Sequence, residues 1–518
     1  MTELQTKTNS AVDKATVDQV EMCDDGSLAE NEAKQKLGHG GDIALAVLGE
    51  TDEMGEIDPA EEHRLVRKID RVLLPLFAMS FMFFYVDKTT LSYAAVFGIQ
   101  KDLRLHGTDY SWLSALFYLG FLAWAVPASM LLQRLPVGRY LSTIFLWGVL
   151  LMAQAACHDF AGLAVLRVVG GAAEAVADPA FILVTSMWYT RREQPVKIGL
   201  WYCANGLGVA GGGLLGYAIG QIRGLFVAIA LPDSPVDGGP RTKNRFGFGF
   251  SSFSISRILL PLTARKRRLA VYRLRDNQTG IASPTFKRHH VVEALFDVKT
   301  VLFFLIALFH STTNGGTTNF GTIITKGFGF STLVTTLLQN PYGACIFLFI
   351  LSSVFINDRL PPNSRCLVMV AFLLPSIAGA FGLHYVPSDQ RVGCLICYYL
   401  TGSVTATWVL LLSMQTANVA GHSKKMITSA RLFLGYCTGN IAGPFFYKAE
   451  QAPVYSLGIW SMVAVLLLET VMILILRFAL AAENRRRDRL QGPERRNLDA
   501  TAFEDLTDKE NMNFRYVY

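Results

Sequence analysis

Charged side chains are scarce in this chain. Of its 518 residues, 17% are Asp, Glu, Lys or Arg, and 51% are hydrophobic. Soluble globular proteins carry about 25% charged residues, so the composition argues against a soluble domain and favours an integral membrane protein. The formal net charge of +7 does not indicate a nucleic-acid partner, because the basic residues collect at the edges of apolar runs.

The chain also lacks the motifs of several classes of enzyme. It has no phosphate-binding loop, no nucleophile triad and no metal-ligand cluster, which argues against ATP-driven transport, catalysis and a bound cofactor or metal. Cys394 and Cys397 form a CxxC motif, but they lie within an apolar run, which indicates helix packing and not redox chemistry. Residues 1–63 contain no apolar segment of a cleavable signal peptide, and their acidic composition predicts a disordered tail.

Long apolar runs dominate the rest of the sequence. A membrane-spanning helix needs about 20 mostly apolar residues, and candidate runs occur on both sides of a polar, basic interruption at 232–298. Five runs precede the interruption and six follow it. They lie near 72–97, 112–132, 140–157, 162–188, 198–222, 299–322, 332–356, 366–384, 392–414, 426–446 and 454–478.

The basic loops predict the orientation of these spans, because Lys and Arg in short loops favour the cytoplasmic side. The loops "RLPVGR", "YTRREQPVK", "NDRLPPNSR" and "GHSKK" are basic and fall on alternate sides of the spans. Both termini are then predicted in the cytoplasm, which requires an even number of crossings. A further span must therefore lie between 222 and 298, where the two candidates are poor: 225–231 is short, and 246–262 is Ser-rich and contains Arg257.

An internal repeat predicts two halves of six spans each. "RLPVGRY" follows the second span and "RLPPNSR" follows the eighth. The fifth and eleventh spans both carry glycine at every fourth position, which lets helix backbones approach closely in lipid. The predicted units are an acidic N-terminal tail (1–63), an N-terminal transmembrane half (64–231), a basic central loop (232–298), a C-terminal transmembrane half (299–480) and a cytoplasmic C-terminal tail (481–518).

Several stretches resemble the major facilitator superfamily, and within it the fungal allantoate permease branch of the anion:cation symporter family. They include "DKTTLSYAAVFGIQKDL", "WYCANGLG", "NGGTTNFGTIITKGFGFS", "GYCTGNIAGP" and "DLTDKENMNFRYVY". The resemblance covers most of 65–220 and 270–518. It implies an all-α integral membrane protein with the major facilitator fold, in which two pseudo-symmetric six-helix halves give nominally 12 spans.

The same resemblance implies a function. Members of this branch are plasma-membrane symporters that import small organic anions, such as allantoate, ureidosuccinate or nicotinate, together with protons. The expected partners are therefore a small organic anion, protons and the lipid bilayer, and the protein is expected to be a monomer. The alternatives are efflux of an acidic metabolite by antiport, or a nutrient sensor or defective family member that does not transport.

The sixth span departs from the pattern of the family. Only "GLFVAIA" precedes "LPDSPV", and a foreign-looking segment at about 238–260 comes before the matching "ARKRRLAVYRLRDNQTGI". Either a misread splice site or a real lesion would explain both features.

Four residues of the fourth span share one stripe of a predicted helix. Arg167, Gly171, Glu174 and Asp178 recur at intervals of four, three and four residues, which places them on one face at 3.6 residues per turn. A cation and two carboxylates facing a cavity can hold an anion and accept a proton. Arg167 and Gly171 also resemble the superfamily's fourth-span Arg-x-x-x-Gly signature, which is linked to proton coupling. The alternative is a buried Arg167–Glu174 pair that only fixes this span to its neighbours.

The first span places Asp87 and Lys88 next to each other in an apolar run, although a charge at the bilayer centre costs at least ~2.5–3.5 kcal/mol. Lys88 shares a helical face with Tyr85 and Ser92, and Asp87 lies about 100° away. Lys88 and Tyr85 are therefore predicted to bind the substrate anion, and Asp87 is predicted to take part in proton coupling. The alternative is a structural Asp87–Lys88 ion pair at the edge of a cavity.

Further candidates lie on other spans. Asn205 belongs to the matching "WYCANGLG", and Asn314 and Asn319 belong to "NGGTTNF", so the resemblance implies that all three bind substrate. His310 lies on the same stripe as Asn314 and titrates in the physiological range, but a lone helical histidine is more often a packed polar residue. Arg431 of the eleventh span could bind an anion or extend toward the basic surface.

Overall fold

The fold is built entirely from helices in the part of the chain that the structure covers. This computed structural model describes residues 58–134, 144–154, 156–175, 177–221, 269–270, 272–274, 277, 287–361, 363–387, 389–452, 454–491 and 505–518. No strand occurs in these residues. The candidates for the sixth span, 225–231 and 246–262, lie outside them, as does most of the predicted N-terminal tail.

Seventeen α-helices and two 3₁₀ segments make up the described chain. The 3₁₀ segments are Gly443–Phe446 and Ala449–Gln451. The helices are α1 (Pro59–Phe97), α2 (Ile99–Asp102), α3 (Asp109–Arg134), α4 (Ile144–Gln154), α5 (Phe160–Glu174), α6 (Ala177–Trp188), α7 (Gln194–Tyr202), α8 (Ala204–Gln221), α9 (Arg288–Phe296), α10 (Val298–Gly327), α11 (Thr332–Leu337), α12 (Gln339–Arg359), α13 (Arg365–Tyr385), α14 (Arg391–Thr401), α15 (Val404–Ala417), α16 (His422–Ala442) and α17 (Ser456–Gln491).

The helices agree with the apolar runs. Seven helical stretches of the described residues are long and apolar enough to cross a membrane, and every predicted run coincides with one helix or with two consecutive helices. The fourth run divides into α5 and α6 just before Pro179, whose ring nitrogen cannot donate a hydrogen bond to the preceding turn. Pro341 has the same position relative to the break between α11 and α12.

Two boundaries differ from the predicted ones. Helix α1 begins at Pro59, inside the predicted tail, where the Asp58 side chain accepts a hydrogen bond from the Ala60 amide. Proline is favoured at the first position of a helix, because its missing N–H group has no partner there in any case. Helix α9 lies within the segment that the sequence assigned to the central loop.

The glycine stripes of the fifth and eleventh spans pack against equivalent partners in the two halves. A Cβ atom on Gly208 of α8 would lie 2.5 Å from the Met82 carbonyl oxygen of α1. A Cβ atom on Gly439 of α16 would lie 2.3 Å from the Leu308 carbonyl oxygen of α10. Both backbones approach so closely that only glycine fits. Span 5 thus packs on span 1 as span 11 packs on span 7, which is the symmetry that the repeat predicted.

The two halves meet along helix pairs that contain small residues. At the contact between α8 and α12, a Cβ atom on either Gly206 or Gly343 would lie 2.3 Å from the carbonyl oxygen of the other. At the contact between α3 and α16, the Tyr118 ring lies 5.8 Å from the Tyr436 ring. These contacts leave the centre of the fold to side chains of α1, α5 and α10.

The chain leaves the first half and enters the second at opposite ends of the bundle. Gly220, near the end of α8, packs against Phe97 at the end of α1 and Leu333 of α11. Lys299, at the start of α10, instead contacts the C-terminal residues, which also bind Arg191 in the loop between α6 and α7. The intervening residues, in which the sixth span is predicted, lie outside the described part of the chain.

The C-terminal residues 505–518 are packed against the bundle around a buried carboxylate. Asp508 is 0% exposed and forms ion pairs with Lys299 and with Lys424, whose Nζ lies 2.8 Å from Oδ1. The Lys424 ammonium also pairs with Glu293 at 2.6 Å and with Asp297 at 2.9 Å. The three carboxylates Glu293, Asp297 and Asp508 lie close enough together to hold a metal ion, but lysine ammonium groups occupy the space between them.

The same C-terminal segment connects the two halves. Its Arg515 carbonyl oxygen accepts a hydrogen bond of 2.9 Å from the Arg191 guanidinium, which stacks on the Phe514 ring at 4.4 Å. On the side of the C-terminal half, the Asn418 side chain donates to the Val517 carbonyl at 2.8 Å and accepts from its amide at 2.7 Å. The segment therefore fastens the loop after α6 to the ends of α15 and α17.

The charge of Asp508 is strongly favoured in this position. Burial alone would raise its pKa, but the ammonium groups of Lys299 and Lys424 outweigh burial and hold the pKa of Asp508 well below its usual range. A lowered carboxyl pKa adds stability that is present above the ordinary value near 4 and is lost only as the pH falls toward the lowered value. The charge of Asp508 should therefore not change with pH near neutrality.

We predict that Asp508→Asn destabilises the protein, because Asn carries no charge to balance the two buried ammonium groups. Breaking a buried ion pair by removing one partner costs about 3–5 kcal/mol, so the apparent melting temperature of the purified protein in detergent should fall. Asp358→Asn is the matched control, since Asp358 is exposed in the last turn of α12. Equal melting temperatures for the two variants would show that Asp508 adds no stability.

Candidate functional site

The centre of the N-terminal half contains a buried ion pair. Lys88 Nζ of α1 lies 2.7 Å from Glu174 Oε1 at the end of α5, and the two side chains are 5% and 2% exposed. The second carboxylate oxygen of Glu174 has no hydrogen-bond partner among the described residues. A buried carboxylate with a free oxygen retains the capacity to bind a proton or another hydrogen-bond donor.

Glycines on α3 and α5 bring Glu174 to this position. A Cβ atom on Gly171 would lie 1.9 Å from the Phe117 carbonyl oxygen, and one on Gly120 would lie 1.9 Å from the Val168 carbonyl oxygen. The two backbones are therefore in contact, and Glu174 follows Gly171 by one turn. Gly171 of the Arg-x-x-x-Gly pattern thus has a packing role, in addition to the link with proton coupling that the resemblance implies.

The predicted stripe is not one straight helix. Arg167, Gly171 and Glu174 lie on α5, whereas Asp178 follows the break before Pro179 and lies in the first turn of α6. Asp178 is half-buried and lies close enough to Lys88 for the two charges to interact. The structure therefore brings Glu174 and Asp178 together around Lys88, although by a different route from the predicted one.

The structure contradicts the alternative in which Asp87 pairs with Lys88. Asp87 Oδ2 instead accepts a hydrogen bond of 3.0 Å from Trp147 Nε1 of α4, and its Oδ1 has no partner among the described residues. Since adjacent helical residues point about 100° apart, the two side chains reach different neighbours. Arg167 is the cation whose charge acts most strongly on Asp87.

The proposed Arg167–Glu174 pair is also absent, because Glu174 binds Lys88. The Arg167 side chain is 5% exposed, and no hydrogen bond or ion pair joins it to another described residue. Its Nε atom is buried without a partner. A guanidinium that is buried and incompletely hydrogen-bonded is a strong candidate for binding a carboxylate, which matches its planar, forked donors.

Aromatic side chains surround the Lys88 ammonium. It lies 5.3 Å from the centroid of the Tyr85 ring, a distance at which the ring face attracts a cation. The Tyr85 hydroxyl is 3.3 Å from the Tyr202 hydroxyl. Tyr118 of α3 lies near the same ammonium, and its ring lies 5.8 Å from the Tyr436 ring of the other half.

The predicted asparagines have different surroundings. Asn205 is 2% exposed, and its Oδ1 has no partner among the described residues. Asn314 donates from Nδ2 to Asn440 Oδ1 of α16 at 2.9 Å. Asn319 donates from Nδ2 to the Gly315 carbonyl of its own helix at 2.8 Å. The side-chain N–H donors of Asn314 and Asn319 therefore bind within the C-terminal half, whereas Asn205 has a buried oxygen without a partner.

Two further candidate residues, His310 and Arg431, each contact a specific partner. His310 Nδ1 of α10 lies 3.2 Å from Glu469 Oε1 of α17, so it is not a lone packed histidine. Arg431 donates from a guanidinium nitrogen to the Leu295 carbonyl at the end of α9, 2.7 Å away, at an exposed position. Of the two alternatives for Arg431, the structure favours extension toward the surface.

Hydrogen bonds between the halves lie on both sides of the Lys88–Glu174 pair. On one side, Ser92 of α1 and Thr322 of α10 are joined by a bond of 2.6 Å between their hydroxyls, and the Tyr110 hydroxyl donates to the Asn319 carbonyl at 2.8 Å. On the other side, the Thr416 hydroxyl donates to Gln194 Oε1 at 3.0 Å. These contacts therefore join the halves on both sides of the pair.

Sequence reasoning missed several partners of the site. Trp147, Tyr118 and Tyr436 lie in apolar runs, where an aromatic residue gives no sign of function. Glu469 had a visible signal, since it is the one carboxylate within the run at 454–478. A charge in such a run should be treated as a functional candidate with a partner on another helix.

The fold agrees with what the chain is similar to. Residues 76–444 match the family model of the Major Facilitator Superfamily. An uncharacterized transporter from Schizosaccharomyces pombe is 34% identical, over 95% of this chain and 93% of its own length. The allantoate permease of Saccharomyces cerevisiae is 31% identical over 92% of this chain and 90% of its own length. A thiamine pathway transporter from the same yeast is 29% identical over 88% of this chain and 86% of its own.

We predict that Gly171→Ala impairs both folding and the site. The added methyl group would collide with the Phe117 carbonyl, so α5 must move away from α3 and carry Glu174 with it; overpacking of this kind costs about 1–3 kcal/mol. The melting temperature in detergent and the amount of protein in the membrane should both fall. Gly170→Ala is the matched control, because no atom lies within 4 Å of a Cβ atom at that position. Equal behaviour of the two variants would contradict the close approach.

Proposed function

The chain belongs to the major facilitator superfamily and is a multi-pass membrane transport protein, not an enzyme; from this premise we propose that it imports a small organic anion together with protons. Allantoate, ureidosuccinate, nicotinate and similar carboxylates are the proposed substrates. One relative is described as an allantoate permease, which supports an anion of this class. The proposal depends chiefly on the buried ion pair between Lys88 and Glu174.

The pair explains how an anion and a proton could be bound together. A substrate carboxylate that reaches Lys88 would compete with Glu174 for the ammonium group. Glu174 would then be a buried carboxylate without its cation, a state that costs several kcal/mol. Binding a proton removes that charge, so substrate binding and protonation of Glu174 favour each other. This reciprocity is what a symporter requires.

The charges around the site support the same coupling. The site contains three carboxylates, Asp87, Glu174 and Asp178, and two cations, Lys88 and Arg167. The fully ionised group therefore carries one net negative charge. An incoming anion would add a second negative charge at a buried position within the membrane, where net charge is unfavourable. At least one proton must therefore accompany the anion. We propose Glu174 as its first acceptor, with Asp87 and Asp178 as further proton-coupling residues.

Several other side chains complete the proposed substrate site. Arg167 offers a second cation with unfilled donors, and Tyr85 presents a ring face and a hydroxyl beside Lys88. Asn205 offers a free side-chain oxygen to an N–H group of the substrate. Asn314 and Asn319 would contribute from the C-terminal half after the halves move and their present hydrogen bonds break.

We also propose that the protein lies in the plasma membrane as a monomer with both termini in the cytoplasm. The start of α1 and the C-terminal segment lie at the same end of the bundle, because Arg273 joins Glu62 to Glu193 and Arg191 binds the C-terminal segment. The basic loop at 189–197 is at this end as well, and basic loops favour the cytoplasm.

We predict that Glu174→Gln abolishes accumulation of labelled allantoate against its gradient, because Gln can hydrogen-bond but cannot carry the proton. Exchange of substrate down its own gradient should persist. The measurement is uptake into cells that lack their own permeases, or into vesicles with an imposed pH gradient. Glu174→Asp keeps a carboxylate and should recover part of the accumulation. Accumulation at the normal rate in Glu174→Gln would mean that Glu174 is structural.

We further predict that Lys88→Ala raises the apparent KM for a carboxylate substrate by at least about tenfold, since hydrogen bonds to charged groups contribute about 1.5–3 kcal/mol. The amount of protein at the cell surface, measured by labelling, should stay close to that of the unaltered protein. Lys88→Arg keeps the positive charge and is the matched control. If Lys88→Ala never reaches the surface, the ion pair serves folding and not binding.

A further inference from the structure

A second pair of ionisable residues is buried in the C-terminal half. Glu469 of α17 is 0% exposed, and its Oε1 lies 3.2 Å from His310 Nδ1. Its other oxygen, Oε2, has no hydrogen-bond partner among the described residues. His310 is itself 4% exposed and lies near the middle of α10. Two groups that can each change charge thus face each other at the depth of the membrane.

The His310–Glu469 pair is poorly suited to a purely stabilising role. A buried ion pair adds little stability, because loss of hydration offsets the attraction, and apolar side chains of similar size often stabilise a protein more. A residue with a permanently neutral amide could bond to His310 without the risk of an unpaired charge. The combination of an imidazole with an incompletely bonded carboxylate is better suited to taking up and releasing a proton.

Charge balance defines what the pair binds. Without an added proton, an ionised Glu469 beside a neutral His310 leaves one negative charge in a region where charge is unfavourable. One proton, held between Nδ1 of the imidazole and Oε1 of the carboxylate, makes the pair neutral overall. The proton comes from water when one side of the fold opens and returns to water when the other side opens, so no further reactant is needed.

Aromatic rings connect this pair with the interface between the halves. The imidazole of His310 stacks on the indole of Trp408 with centroids 5.0 Å apart and an angle of 21°. Trp408 lies 5.3 Å from Tyr436, and Tyr436 lies 5.8 Å from Tyr118 of the N-terminal half. A change in charge at His310 therefore acts on the first ring of a series that ends beside Lys88.

We propose that His310 and Glu469 form a second proton-binding site, which lies in the C-terminal half and acts on the contact between the halves through Trp408. The inference goes beyond the proposed function, because proton binding at this pair requires neither a particular substrate nor Glu174. Each half of the transporter then contains a buried acidic residue paired with a basic one. The pair joins α1 to α5 in the N-terminal half and α10 to α17 in the C-terminal half.

Few other titratable groups face this pair. Glu469 is influenced by His310 and by no other charged group of the described residues. The helices packed around α10 contribute Trp408 from α15 and Tyr436 and Cys437 from α16. Lys88 of α1 acts on Cys437 and Tyr118 but not on Glu469. A pH response that depends on both His310 and Glu469 can therefore be assigned to this pair.

The experiment is a pH titration of tryptophan fluorescence in the purified full-length protein in detergent, with no substrate added. A protonated imidazole quenches an indole that it stacks on, so emission should fall as the pH decreases. The chain contains seven tryptophans, and the variant Trp408→Phe should remove the pH-dependent component while keeping an aromatic ring in the stack. His310→Gln should remove the same component.

The Glu469→Gln variant distinguishes a coupled pair from a lone histidine. Without the carboxylate, the protonated imidazole loses its partner, so the midpoint of the fluorescence change should move to lower pH by about one unit or more. Glu469→Asp keeps a carboxylate and should return the midpoint most of the way to that of the unaltered protein. Ser376→Ala is the control for general loosening, because it removes a buried hydrogen bond of 3.0 Å to the Thr401 carbonyl in the same half without removing a titratable group.

Two results would overturn the proposal. A pH-dependent component that survives in Trp408→Phe would place the response elsewhere, and an unchanged midpoint in Glu469→Gln would show that the carboxylate takes no part. Because the titration needs no substrate, neither result depends on whether Glu174→Gln retains accumulation. The test of the second site and the test of the proposed function can thus fail separately.

Discussion

The interior of a lipid bilayer contains no water that could satisfy a polar group, and this constraint governs how the buried charges of the described spans are arranged. Lys88 and Glu174 tolerate burial because each neutralises the other at 2.7 Å. In the proposed mechanism, the cost of separating them makes the pair useful, since a ligand or a proton would take over the role of either partner. In water the same pair would be worth less than about 1 kcal/mol and could control nothing.

The small residues of the helices make such pairing possible. Gly171 lets α5 touch α3, and the stripes of α8 and α16 let these helices touch α1 and α10. Without a hydrophobic driving force between helices in lipid, close backbone contact provides much of the attraction. The same contacts bring the ends of long side chains within reach of partners on other helices. Packing and chemistry therefore depend on the same glycines.

Much of the fold could be predicted from the sequence, because apolar length and glycine spacing are properties of a single helix. The spans within the described residues and the packing of span 5 on span 1 and of span 11 on span 7 followed from such patterns. The partners did not, since neither of the two alternative pairings, Asp87 with Lys88 and Arg167 with Glu174, is present, and Lys88 pairs with Glu174 instead. Which of several nearby charges forms a bond depends on how helices rotate about one another. Periodicity along one helix carries no information about that rotation.

The packed C-terminal segment has a consequence for how the protein is made. Residues 505–518 are synthesised after every described helix, yet they supply partners for Arg191, Lys299 and Lys424. Until the segment arrives, Arg191 lacks these partners, and Lys299 and Lys424 have only the carboxylates of α9 and of the residue before α10, without Asp508. The two halves can thus insert and adjust to each other before they are fastened. A ribosome that stalls before codon 505 would leave a chain with all its described helices but without this fastening, which gives cellular quality control a distinct feature to recognise.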